Sequence, residues 1–286
     1  MTLKVKNDRV TDDGWNALYK RFKEDGLLPA ADNKPKRGIL NSTGMKWVAV
    51  AAVACICIIS ALVIHNMNTG SQEMYTLHNE ENAPTLVTTL EDGSVVYLNQ
   101  QTSIEYPVHF EKDRRRVSMQ GDAFFEISKN RERPFFIETE NARIEVLGTA
   151  FNVVSKDKDS FSLSVKHGEV KVTLKQSGQS THVKAGETVL LDSDNLQKTI
   201  SSDKGKFDGY LKQIHFKDER LTDVIRIINM NSESTKLSVS PHLGDRLLTV
   251  TFSDNTPATM AELICLALNL KYTQSDNVIT IEDIKN

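Results

Sequence analysis

The stretch FSLSVKHGEVKV, residues 161–172, alternates apolar and polar side chains on either side of a His167-Gly168 turn. Alternation with period two buries one face of a strand and wets the other, so Phe161-Ser162-Leu163-Ser164-Val165 and Glu169-Val170-Lys171-Val172 read as short strands. The pattern continues outward. Ser94-Val95-Val96-Tyr97-Leu98, Arg116-Val117-Ser118-Met119, Phe135-Phe136-Ile137, Arg143-Ile144-Glu145-Val146 and Thr188-Val189-Leu190-Leu191 are further strands, with turns at Asp92-Gly93, Tyr106-Pro107 and Ala185-Gly186. This regular spacing predicts a mainly β domain over residues 74–193, a sandwich or roll of sheets.

Beyond it, residues 193–205 are polar and read as a flexible join. Residues 206–286 then change character. Ile214-His215-Phe216 is a strand, 221–230 a helix with Leu221, Val224, Ile225 and Ile228 on one face, and 236–239 a strand. A second pass follows: strand 247–252, Thr256-Pro257 as cap and first helical residue, helix 260–268, and a hairpin of 270–273 with 278–281. Two strand-helix-strand passes predict a small, separate α+β domain.

On the other side of the β region stands WVAVAAVACICIISALVI, residues 47–64, eighteen positions without charge or proline. As a helix it would be roughly 27 Å long, close to the hydrocarbon thickness of a bilayer, and it predicts a single membrane span over residues 45–64. Lys34, Lys36, Arg37 and Lys46 precede it, and no Lys or Arg follows until Lys112. That asymmetry predicts an inner-membrane protein with residues 1–44 in the cytoplasm and the rest in the periplasm. Residues 1–46 carry a net charge of +4 and the remainder −7, which together give the chain's −3. A slightly acidic exterior argues against nucleic acid or anionic lipid as its main partner, since both are bound by clustered cations. The basic residues within 112–116 read as a turn between strands.

Within residues 1–44, Thr11 is a candidate N-cap, Asp12 and Asp13 suit the first turn, and Trp15, Leu18, Tyr19 and Phe22 fall on one helical face. A lone helix of this length cannot bury that stripe and is marginal in water. It either docks on a cytoplasmic protein or lies on the membrane surface with the help of Lys20, Arg21 and Lys23.

Little points to chemistry. Only Cys265 lies beyond the apolar run, leaving no intramolecular disulfide there and no zinc set, and the seven histidines show no ligand spacing. Phosphate-binding loops, dinucleotide fingerprints and nucleophile elbows are absent, so neither an enzyme nor a cofactor or metal site is expected.

The run Asp92-Gly93-Ser94-Val95-Val96-Tyr97-Leu98-Asn99, followed by Tyr106-Pro107, Phe110, Gly121-Asp122-Ala123-Phe124-Phe125-Glu126-Ile127, Pro134-Phe135, Val146-Leu147-Gly148-Thr149-Ala150-Phe151-Asn152-Val153 and Gly168-Glu169-Val170, resembles the FecR family. Glu91, Tyr97, Phe124 and Ala185 depart from its usual residues without disturbing the alternation. The resemblance implies a transmembrane anti-sigma factor. Its cytoplasmic segment, here with Trp15, Leu18, Tyr19 and Phe22, would hold an extracytoplasmic-function sigma factor, and its periplasmic part would take a signal from a TonB-dependent outer-membrane transporter. Residues 206–286 are similar to the secretin and TonB short N-terminal domain, with Tyr210 where tryptophan is common, which implies a protein-interaction module pairing with the transporter's signalling domain.

Some family members are similar in cutting themselves at a Gly-Thr bond by an N–O acyl shift, for which Gly148-Thr149 supplies the residue types. The plainer reading makes Gly148 a bend and Thr149 a strand residue. A different function is a membrane-tethered module binding envelope or glycan, with the N-terminal segment only an anchor.

Overall fold

Strand β5, Arg115–Glu126, runs through two sheets and sets the plan of the molecule. A computed structural model describes residues 9–26, 56, 58–60, 73–158, 160–193, 195–200, 205–253 and 256–284. The chain divides into two units, Met1–Thr69 and Gly70–Asn286. In the first, helix α1 spans Arg9–Glu24 and so begins before Thr11, which lies inside the helix rather than capping it.

In the second unit, the first sheet runs β1 (Met74–Asn79), β4 (Thr102–Pro107), the front half of β5, β6 (Phe135–Glu138), β7 (Ala142–Val146), β10 (Glu169–Leu174) and β11 (Ser180–Lys184). The second sheet runs β16 (Leu247–Ser253), β14 (Gln213–Arg220), β2 (Thr85–Thr89), β3 (Val95–Leu98), the rear half of β5, β8 (Ala150–Ser155), β9 (Phe161–His167), β12 (Glu187–Asp192) and β13 (Asn195–Ile200). Pairing is antiparallel in both except at β5–β6 and β2–β14. The stretch 161–172 thus holds two strands of different sheets, and the chain changes sheet at His167-Gly168.

Ile104, Val117, Phe135, Ile144, Val170 and Val183 of the first sheet meet Val96, Leu98, Phe125, Phe151, Leu163 and Val189 of the second in one core. Burying a Val, Leu, Ile or Phe side chain is worth about 1.5–3 kcal/mol, so this core dominates the stability of the fold. The second sheet is covered on its other face as well. There Val87, Val95, Tyr97 and Phe124 pack against Phe207, Tyr210, Ile214 and Phe216 and against helices α2 (Leu221–Met230) and α3 (Pro257–Leu268). Four consecutive buried residues in β3 follow directly, because a strand covered on both faces needs no polar alternation. A small third sheet, β15 (Lys236–Val239), β18 (Val278–Asp283) and β17 (Leu270–Ser275), completes the helical layer.

Several expectations are corrected. The described residues are mainly β with few helices, and among them no helix is long and apolar enough to cross a membrane, so the single-span fold is not found. The span expected over 45–64 lies outside the described residues apart from Ile56 and residues 58–60. The α+β portion is not a separate domain: β14 pairs in parallel with β2 over Ile214–Thr85 to Phe216–Val87, so the second sheet passes unbroken into it. The elements of its two passes are present, but the polar join is partly the strand β13. Finally, Tyr106-Pro107 ends β4 instead of making a turn, and the basic cluster at 112–116 is not all solvated, since Arg115 is fully buried.

At Gly121 the partners of β5 change from β4 to β8. Its φ is +115°, and a Cβ there would stand 2.6 Å from Thr102 Oγ1 and 2.7 Å from Thr102 Cα. Only glycine fits both demands. Gly121→Ala is therefore expected to destabilise the protein by about 3 kcal/mol or more, seen as a fall of roughly 6–12 °C in Tm by calorimetry.

Candidate protein-docking and ligand sites

Helix α1 presents Trp15, Leu18, Tyr19 and Phe22 at i, i+3, i+4 and i+7, one stripe along the helix. Trp15 is 69% exposed and Tyr19 64% exposed, with Leu18 and Phe22 also exposed. Arg21 and Lys23 occupy the last turn, where the helix dipole favours cations. A large aromatic stripe in water loses the hydrophobic free energy that a partner's groove would supply, so the arrangement is suited to helix-in-groove docking. All four residues singled out from the sequence sit together.

Gly148 and Thr149 lie on the bend that feeds β8. Gly148 has φ +153°, and a Cβ there would fall 2.5 Å from Lys129 Cα, so the backbones of 129 and 148 touch. Neighbouring amides clasp the bend: Asn130 N donates to Leu147 O at 2.7 Å and Ile127 N to Thr149 O at 3.0 Å. Thr149 is buried, and its hydroxyl donates to Glu169 O at 3.1 Å, tying the start of β8 to the start of β10. In this arrangement Gly148 makes the bend and the Thr149 hydroxyl is engaged with a main-chain carbonyl.

A third feature was not legible in the sequence. Where the two sheets part, residues of β1, β2, β4, β14 and β16 line a groove of about 620 Å³. Tyr75 and Tyr106 face each other in register on β1 and β4, ring centroids 5.9 Å apart, and continue the inner face of the first sheet beyond its core. The opposite wall is residues 217–220, where β14 bulges and Asp218 takes φ +52°. Such a bulge re-aims the side chains after it. Glu219 turns inward, accepts from Thr89 N at 3.2 Å, and shares the buried Thr88 hydroxyl with the Tyr106 phenol. Burial pushes the Glu219 carboxyl above its ordinary range, against the lowering effect of those hydrogen bonds and of Arg226, and burial likewise raises the Tyr106 phenol. No periodic signal could have announced this groove, because its walls come from strands well over a hundred residues apart in the chain.

A polar latch joins the layers nearby. The Tyr210 hydroxyl donates to Asp122, Asn152 Nδ2 reaches Asp122 Oδ1 at 2.9 Å, and Asn99 Nδ2 reaches Oδ2 at 3.0 Å. Burial, with the Asp122 charge adding to it, drives the Tyr210 phenol far above the ordinary tyrosine range and keeps it a donor. Among the described residues no three His, Cys, Asp or Glu side chains gather as a metal would require.

Residues 82–171 match the family model described as FecR protein. Two crystal structures of a candidate anti-sigma factor from Parabacteroides distasonis ATCC 8503, at 1.65 and 2.50 Å resolution, resemble the chain at 22% identity and a TM-score of 0.45, covering 74% of this chain and 100% of theirs. No curated protein matches the sequence significantly.

Two outcomes follow from this geometry. Thr149→Val removes one buried hydrogen bond worth about 1 kcal/mol, so Tm should fall by roughly 2–4 °C by calorimetry. For Glu219, the folded carboxyl keeps its proton to higher pH than the unfolded one; the native state binds more protons between the two pKa values, and stability falls as pH rises through that window. Glu219→Gln, which retains an acceptor for Thr89 N, should gain stability over the wild type above the window and none below it, as read from urea denaturation between roughly pH 3 and 8.

Proposed function

We propose that this protein is an anti-sigma factor that relays an envelope signal to transcription. In this reading α1 works in the cytoplasm and holds an extracytoplasmic-function sigma factor through Trp15, Leu18, Tyr19 and Phe22. The β body works in the periplasm, where its C-terminal strand-and-helix layer meets the signalling domain of a TonB-dependent outer-membrane transporter. The observation that carries the reading is the uncovered aromatic stripe on α1 in a chain whose residues 82–171 match the FecR family model. The charge change around residue 46, +4 before and −7 after, supports the two locations.

Aromatic anchors dominate helix-in-groove affinity, and truncating one typically costs 2 kcal/mol or more. Full-length protein co-expressed in turn with each extracytoplasmic-function sigma factor of its own genome should capture one of them on affinity purification. Trp15→Ala and Tyr19→Ala should each weaken capture by about 30-fold, while Leu266→Ala in the second unit should not. Equal capture by all of these would overturn the assignment of α1.

A further inference from the structure

We infer that the groove between the parting sheets is a binding site for a short neutral saccharide, independent of the sigma-factor reading. At about 620 Å³ it lies within the range of small-ligand sites, roughly 300–1,000 Å³, and it combines flat apolar faces with a few convergent polar groups. The apolar part is the Tyr75–Tyr106 pair with Leu77 beneath; Tyr75 is 51% exposed, although the residues beside it in register belong to a paired strand. An exposed ring at the end of an otherwise covered sheet face offers a platform to a molecule with an apolar side.

Charge selects the class of that molecule. The groove's acids are largely answered: Glu91 holds Phe110 N at 2.7 Å, Asp223 pairs with Arg226 at 3.2 Å, and Asp218 accepts from Thr249 Oγ1 at 3.1 Å. Lys217 and Arg220 also line the wall, so acids outnumber bases there. An acidic excess disfavours an anion, and because each of these carboxylates already accepts from a group of the protein, a cation would have to displace those bonds and shed its own water to bind. What the groove does offer is acceptors and donors side by side: the Glu219 carboxyl, the Tyr106 and Thr88 hydroxyls and the Lys217 amine. A sugar ring fits this set, with C–H faces for the tyrosines and a rim of hydroxyls that both give and accept hydrogen bonds. Its contacts would fall on β1, β2 and β4 and on the 217–220 wall alike, so occupancy would fasten the strand-and-helix layer to the two-sheet body.

The test is isothermal titration of the full-length protein with maltotriose, cellotriose and xylotriose, with spermidine and tetraglycine as probes of the ammonium and peptide alternatives. The expected result is one-to-one binding of at least one trisaccharide, weakened about tenfold or more by Tyr75→Ala and by Glu219→Gln and unchanged by Leu266→Ala outside the groove. Tyr75 is half in water and Glu219→Gln keeps its backbone contact, so thermal unfolding of both variants will show that they fold. Failure of all three sugars to bind, equal binding by wild type and groove variants, or binding of spermidine or tetraglycine alone would overturn the inference.

Discussion

One strand has to belong to two sheets, and the rest of the molecule follows from that constraint. Over its first half β5 lies between β4 and β6; past Gly121 it lies between β3 and β8. The change of partners requires a sharp turn of the backbone where the Thr102 main chain presses in, and the Thr102 hydroxyl fills the gap by donating to Asp122 O at 3.0 Å and accepting from Asp122 N at 2.9 Å. With the strand bent there, Val117 and Met119 before the bend and Ala123 and Phe125 after it all face the same core. Phe124, between the last two, is sent to the opposite side. There its ring meets Tyr97, Phe207 and Tyr210 at 5.4, 5.4 and 5.7 Å, and it anchors the layer that the C-terminal residues build.

The start of β5 is fixed by a different device. Arg115 is buried, and its guanidinium pairs with Asp92 at 2.5 Å while donating to Ser128 O and Arg133 O and lying 5.3 Å from the Phe135 ring. Asp92 in turn accepts from Ser94 N and Ser94 Oγ, which closes the β2–β3 turn. One cation thus gathers the β2–β3 turn, the exit from β5 and the approach to β6. Burying such a pair costs desolvation that its attraction only partly offsets, so its value lies less in net stability than in fixing which loops meet. Nη2 of Arg115 is buried without a partner, consistent with a group held for geometry.

Much of the architecture was legible because it rests on short-range periodicity. The helix Leu221–Met230 and the strand Lys236–Val239 stand where their apolar spacing puts them, and Thr256 caps α3 through Thr259 N at 3.3 Å. Elements that alternation does not mark were lost. β13, reading NLQKTI, buries only Leu196 and looks like linker; β5 looks like a strand of four residues because Gly121-Asp122 interrupts its pattern. Arg115 was hidden for a similar reason. A charged residue in a basic run reads as solvated, and nothing local says that Asp92, twenty-three positions earlier, will meet it in the interior. Nor could local sequence reveal that the second sheet continues, since the β2–β14 pairing joins residues well over a hundred positions apart.

The same distinction separates the two kinds of site. The stripe on α1 is a single helix face, so its four residues announce themselves by spacing, and their exposure changes only what they are for. The groove is made by long-range closure: Tyr75 meets Tyr106 because β1 pairs with β4, and Glu219 joins them because β14 continues the sheet and bulges at Asp218. A bulge with a non-glycine residue at positive φ costs conformational energy that packing of the strand does not demand. Straightening β14 would carry Glu219 to the opposite face of the sheet, since one residue of slip reverses every side chain. That strain is what places a half-buried carboxyl in the groove that the two tyrosines line, on the wall across from β1 and β4.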